Sequence, residues 1–113
     1  MYTMVADKFV VTNANTPQYT SAVEMGNDNA VYYELTIFTL GGATDLTITL
    51  EESNDLENWS NPNDTPTAYN SIGYKQKKVP SSAGIASRYV RLKAAVTGTG
   101  TVIFAGGINT ASL

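Results

Sequence analysis

Two stretches of this chain alternate apolar and polar residues with a period of two. The first is Asp45-Leu46-Thr47-Ile48-Thr49-Leu50-Glu51-Glu52. The second is Arg88-Tyr89-Val90-Arg91-Leu92-Lys93-Ala94-Ala95-Val96, and alternation resumes at Thr101-Val102-Ile103-Phe104-Ala105. Successive side chains of a strand point to opposite faces, so each run belongs to a sheet with one dry and one wet side. Leu46, Ile48 and Leu50 are expected inward, with Val90, Leu92, Ala94 and Val96; Thr47, Thr49, Glu51, Arg91 and Lys93 are expected outward. No segment carries the 3.6-residue period of an amphipathic helix. Gly, Asn, Asp and Pro clusters recur about every ten residues, the spacing of a sandwich or barrel.

Strands are expected at Asp7–Thr12, Tyr19–Met25, Val31–Leu40, Leu46–Glu52, Ile72–Val79, Arg88–Val96 and Gly100–Ile108. The expected fold class is all-β: one antiparallel β-sandwich domain over residues 1–113, of about 7–8 strands, with a jelly roll as one form open to it. Gly26-Asn27-Asp28-Asn29, Pro80-Ser81-Ser82, Gly41-Gly42 and Gly106-Gly107 read as turns. Thr97–Gly100 reads as a short hairpin loop, which would pair the last two strands. Val31–Leu40 is apolar on both faces, with Tyr33, Leu35 and Ile37 on one and Tyr32 and Phe38 on the other. A strand of that kind is central or lies at an interface. The one long connection, Ser53 to Asn70, is rich in Asn, Asp and Pro.

The chain has neither Cys nor His. Disulfides and thiolate metal sites are therefore excluded, as is any nucleophile–histidine pair. No apolar run approaches the roughly 18 residues of a membrane span, and no secretory leader is visible, so synthesis in a cytoplasm and no membrane partner are expected. Charge is segregated: residues 1–64 hold all ten carboxylates and Lys8, a sum of −9, and residues 65–113 hold six cations, a sum of +6. Cross-strand pairing of acidic and basic strands accounts for this within one sheet. Complementary faces meeting between subunits or on a larger assembly are the second explanation. The basic residues also suit nucleic acid, but a sequence pI near 4.7 points to no nucleic-acid partner.

Trp59 is either an apolar plug at the end of the sandwich or a platform for a sugar ring. Glu51, Glu52, Asp55, Glu57 and Asp64, with Asn54 and Asn58, have the oxygen chemistry of a Ca²⁺ site, but their spacing fits no EF-hand and no metal is assigned. Glu51 and Glu52 are adjacent on a strand and cannot flank one glycosidic bond, so no catalytic residue and no cofactor are expected. Seven tyrosines are many for this length, and tyrosine is favoured at interfaces. Tyr32, Tyr33, Phe38, Arg91 and Lys93 are accordingly the candidate interface residues.

Leu46-Thr47-Ile48-Thr49-Leu50-Glu51-Glu52-Ser53-Asn54-Asp55-Leu56-Glu57-Asn58-Trp59 resembles the strand and Ser-Asn-Asp-Gly-x-x-Trp turn of discoidin-like (F5/8 type C) sandwiches. Arg88-Tyr89-Val90-Arg91-Leu92 resembles the Arg-Tyr-Val-Arg-Leu strand of the same group. The chain departs from that group in lacking Cys and in placing Leu56 where the turn glycine stands. The same pairing, and the ending Thr97–Thr110, is similar to small free-standing structural proteins of tailed bacteriophages. That resemblance implies a non-enzymatic virion protein that decorates or cements a capsid as a homo-oligomer, a trimer being the number expected. The alternative it leaves is a stand-alone carbohydrate-binding module whose ligand loop holds Asn54, Asp55 and Trp59.

Overall fold

A computed structural model describes residues 1–80 and 84–113; the expected Pro80-Ser81-Ser82 turn extends outside them. The chain forms nine strands: β1 (Tyr2–Thr12), β2 (Gln18–Tyr19), β3 (Val23–Glu24), β4 (Ala30–Thr39), β5 (Asp45–Ser53), β6 (Thr67–Tyr69), β7 (Gly73–Val79), β8 (Tyr89–Thr97) and β9 (Thr101–Ala111). They make two antiparallel sheets packed face to face. One has the order β1-β9-β4-β7; the other has the order β2-β8-β5-β6, with β3 also paired to β8. Counting β2 and β3 as one interrupted strand gives eight positions, and neighbours within each sheet come from distant parts of the chain, the winding of a jelly roll. No helix is long and apolar enough to cross a membrane among the described residues.

Alternation places the core as anticipated for β5 and β8, and the structure adds the inward faces of β4 and β9. Val31, Tyr33, Leu35 and Ile37 of β4, Leu46, Ile48 and Leu50 of β5, Val90, Leu92 and Ala94 of β8, and Val102, Phe104 and Ile108 of β9 are all buried. Each fully buried aliphatic or aromatic side chain adds roughly 1.5–3 kcal/mol of transfer free energy. Tyr33 therefore faces the core, not a partner, which corrects its place among the interface candidates. Its hydroxyl meets that of Tyr69 at 2.8 Å, so a strand of one sheet is tied to the short β6 of the other.

Burial, then the hydrogen bond to Tyr69 and the nearby acidic charge, push the Tyr33 phenol well above its ordinary value of 10.0. The unfolded chain releases that proton near pH 10 while the folded chain retains it. Stability contributed by Tyr33 is thus intact below about pH 10 and is lost as pH rises further, by up to about 1.4 kcal/mol per pH unit. Denaturant midpoints between pH 9 and 11.5 should fall more steeply for the wild type than for Tyr33→Phe. Parallel curves would show that Tyr33 ionises freely in the fold.

Several boundaries differ from expectation. β1 begins at Tyr2, ahead of Asp7, because register shifts at Val5 and around Lys8 (φ +50°) break the alternation that would reveal the strand. The expected strand Tyr19–Met25 is two short pieces, and β6 lies unannounced inside the long connection. β8 and β9 do not pair. Both edges of β8 are taken by β2/β3 and β5, both edges of β9 by β1 and β4, so Thr97–Gly100 arches from one sheet to the other. Gly106-Gly107 is not a turn but the middle of β9, where a side chain on Gly107 would collide with the Tyr2 ring.

The segregated charges meet across strands and sheets. The two ion pairs among the described residues are Lys77–Asp64 at 2.6 Å and Arg91–Glu51 at 2.8 Å, each joining the acidic part of the chain to the basic part.

Candidate interaction surfaces

Three places on the surface hold the residues singled out in the sequence. The first is the outer face of the β5–β8 sheet. Glu51 and Arg91 are directly opposite in the β5–β8 register, and Glu51 Oε1 accepts from Arg91 Nε. The guanidinium lies 4.0 Å from the Tyr19 ring centre and 4.1 Å from that of Trp59. Two aromatic faces thus clamp one cation, which carboxylate and stacking hold in a single orientation. Trp59 lies half-buried against Arg91 on this outer face and is not a buried plug at the end of the sandwich. Its indole N–H donates to the Leu56 carbonyl at 3.2 Å, and the cation takes one ring face. Tyr19 was missed because nothing local marks it; the β2–β8 pairing of Tyr19 with Lys93 puts it there. Lys93 lies on this same face.

The second place is the Ser53–Ser60 loop. A shallow cavity of about 210 Å³ is lined by Glu52, Ser53, Asn54, Asp55, Asn58, Ser60 and Ser87. Asn54 and Asp55 come together there; Trp59 does not join them. The polar groups are largely consumed by the fold itself. Asp55 accepts from the Ser53 hydroxyl, the Glu57 and Asn58 backbone N–H groups and the Asn58 amide. Those hydrogen bonds, the backbone ones of Asn58 and Glu57 first, hold its carboxyl far below the usual range. Asn54 Oδ1 accepts from the Arg88 backbone N–H at 3.0 Å, and buried Glu52 from the Asn63 amide at 2.7 Å. Among the described residues, no group of three or more His, Cys, Asp or Glu stands close enough to hold a metal ion.

Leu56 sits in this loop at φ +64°. That left-handed conformation costs an L-residue about 1–2 kcal/mol, while glycine adopts it freely. Leu56 is also exposed, so its side chain repays little of that cost. Leu56→Gly should stabilise the protein by about 0.5–1 kcal/mol, the greater freedom of glycine in the unfolded chain removing part of the gain. A lower urea midpoint for the variant would refute this.

The third place is the outer face of the β4–β9 sheet. Tyr32 and Phe38 point outward here, as expected of the two-sided β4. Phe38 falls at the register shift between Ile37 and Thr39 and is 52% exposed. Tyr2, Met4 and Val10 of β1, Ile72 before β7 and Tyr74 of β7 are exposed as well. The β1–β9 register places Val10 beside Ile103, and the β4–β7 register places Tyr74 beside Thr36. A cleft of about 120 Å³ opens among Tyr2, Met4, Glu34, Thr36, Tyr74, Ala105 and Gly106. The signals missed were the glycines of β9, which lower the floor, and the N-terminal half of β1, which forms one wall. The five interface candidates therefore do not share a surface. Tyr32 and Phe38 lie on this sheet, Arg91 and Lys93 on the other, and Tyr33 between the two. No family model matches the chain, and no curated protein is found to match it.

Proposed function

We propose that the protein is a non-enzymatic structural protein of a tailed-bacteriophage virion, set on the capsid as a homo-oligomer, a trimer being the expected form. The reading's biological setting rests on the resemblance of residues 45–59, 87–92 and 97–110 to small phage structural proteins. The observation that carries its mode of action is the outer face of the β4–β9 sheet. Six large side chains there, Tyr2, Met4, Val10, Phe38, Ile72 and Tyr74, are 45–63% exposed. A sandwich buries one side of each sheet and normally covers the other with polar groups. A face that instead presents aromatic and aliphatic side chains is the kind of surface that packs against another protein. The sandwich supplies rigidity, this face the contact with a neighbouring virion protein, and Arg91 and Lys93 on the opposite face the charges that fix orientation.

The carbohydrate-binding alternative draws less support, because Arg91 covers one face of Trp59 and the fold satisfies Asp55 within its own turn. The test is to purify particles from a host carrying the gene and quantify the protein in them by mass spectrometry. Stoichiometric incorporation is expected. Phe38→Asp combined with Ile72→Asp should reduce incorporation at least tenfold while leaving the melting temperature near that of the wild type. Absence of the wild-type protein from purified particles would overturn the reading. Specific retention on a glycan array, lost in Trp59→Ala, would replace it with the alternative.

A further inference from the structure

The cleft on the outer face of the β4–β9 sheet has a definite chemistry. Tyr2 and Met4 form one wall and Tyr74 the other, with Ala105 and Gly106 as floor and Glu34 contributing a carboxylate. Among the described residues no Lys or Arg pairs with Glu34, the two ion pairs lying at Asp64 and Glu51. The cation on the same face, Lys78, instead lies 5.7 Å from the Tyr32 ring centre, two register pairs along β4–β7 from the Glu34–Gln76 pair. Glu34 and Tyr74 line the cleft together, and desolvation, then the charge of Glu34 and a hydrogen bond to it, raise the Tyr74 phenol. Aromatic rings, a thioether and a carboxylate that is in neither described ion pair, set around one small space, attract an organic cation and repel an anion. At about 120 Å³ the space suits the end of one side chain and falls below the roughly 300 Å³ of a small-molecule site.

We propose that this cleft receives a lysine or arginine side chain of a basic virion protein that covers the β4–β9 sheet. This rests on the function proposed above and supplies the partner's chemistry. A protein partner is favoured over a free amine because Phe38 and Ile72 are exposed on the same face, and only a second protein surface would bury them together with the cation. A different chain is favoured over a second copy because most of this chain's own cations are already held within it: Lys77 and Arg91 in ion pairs, Lys78 and Arg88 against tyrosine rings, and Lys75 on the Ser71 hydroxyl.

The test uses the full ¹⁵N-labelled chain titrated with Ac-Gly-Lys-Gly-NH₂, Ac-Gly-Arg-Gly-NH₂, Ac-Gly-Gln-Gly-NH₂ and tetramethylammonium chloride, followed by amide chemical shifts. The Lys or Arg peptide should shift Thr36, Tyr74 and Ala105 saturably, and the Gln peptide should not. Glu34→Gln, which keeps size and shape, should weaken that binding about tenfold. Equal response to the Lys, Arg and Gln peptides, or unchanged binding in Glu34→Gln, would overturn the cation site. Tetramethylammonium binding as tightly as the peptides would make it a small-cation receptor and overturn the protein partner. A change in the chain's own solution mass in Glu34→Gln would seat a second copy there and overturn the assignment to another chain. Incorporation into particles is measured separately, so a wild-type chain that is incorporated but ignores the peptides refutes this cleft alone.

Discussion

Asp64→Ala should lower the stability of the protein by about 3–4 kcal/mol, and a urea titration should show it as a midpoint shift with little change in slope. The reason is the double duty of one buried carboxylate. β6 pairs with β5 only over Leu46–Ile48, and the next backbone partner on that edge is the single Glu52–Ser60 bridge, so no strand reaches Leu50. Asp64 Oδ2 takes the place of the missing strand by accepting from the buried Leu50 N–H at 2.7 Å. Its other oxygen accepts from Lys77 Nζ, whose remaining donors go to the Thr65 carbonyl and the Thr67 hydroxyl, each at 2.8 Å. The Asp64 side chain is 1% exposed and that of Lys77 28%. The lysine can thus recruit some water when its partner is removed, whereas the Leu50 N–H cannot. The two roles separate in a double variant. Asp64→Leu with Lys77→Met removes both charges, and should still cost about 1–3 kcal/mol because the Leu50 donor stays unsatisfied. If the double variant regained wild-type stability, the ion pair alone would account for the effect, and the strand-replacing role of Asp64 would be wrong.

Phe104→Ala should cost about 3–5 kcal/mol, the range for removing a fully buried aromatic ring. Phe104 is 0% exposed and sits on β9, which pairs with both β1 and β4. Its ring lies 5.4 Å from that of Phe9, tilted by 47°, an arrangement that adds roughly 0.5–1.5 kcal/mol beyond area. For a domain of this size each kcal/mol lowers the melting temperature by several degrees, so a drop on the order of 15 °C is expected. Phe9 is only half-buried, and Phe9→Ala should cost clearly less. Equal losses at the two positions would mean that the aromatic pair, not the central position of Phe104, dominates.

How far the candidate surfaces were legible depends on how local their causes are. Alternation in β4 separated Tyr32 and Phe38 from Tyr33, Leu35 and Ile37, but with both faces apolar it left open which of them was inward. That Tyr33 belonged to the core required knowing which face of β4 met the other sheet. Arg91 could be read as an outward cation, but its clamp between Tyr19 and Trp59 joins residues 72 and 32 positions away from it, and no spacing rule links them. Leu56 was marked only as a departure from a turn pattern; the φ of +64° shows what the expected glycine would have relieved. Gly106-Gly107 was read as a turn because paired glycines usually are, whereas here their missing side chains admit Tyr2 and Leu35 against β9.

By itself the sequence determined the fold class, the inward faces of β5 and β8 and the lack of disulfide or histidine chemistry, since period-two alternation and residue identity act over a few positions. The structure alone decided that β8 and β9 part company, that β1 reaches back to Tyr2, and that Glu34 shares a cleft with Tyr2 and Tyr74. Those outcomes depend on which strand edges are already occupied and on which distant strands lie side by side. Both are set by packing the whole chain around one core, where a contact between residues 2 and 109 counts as much as one between neighbours.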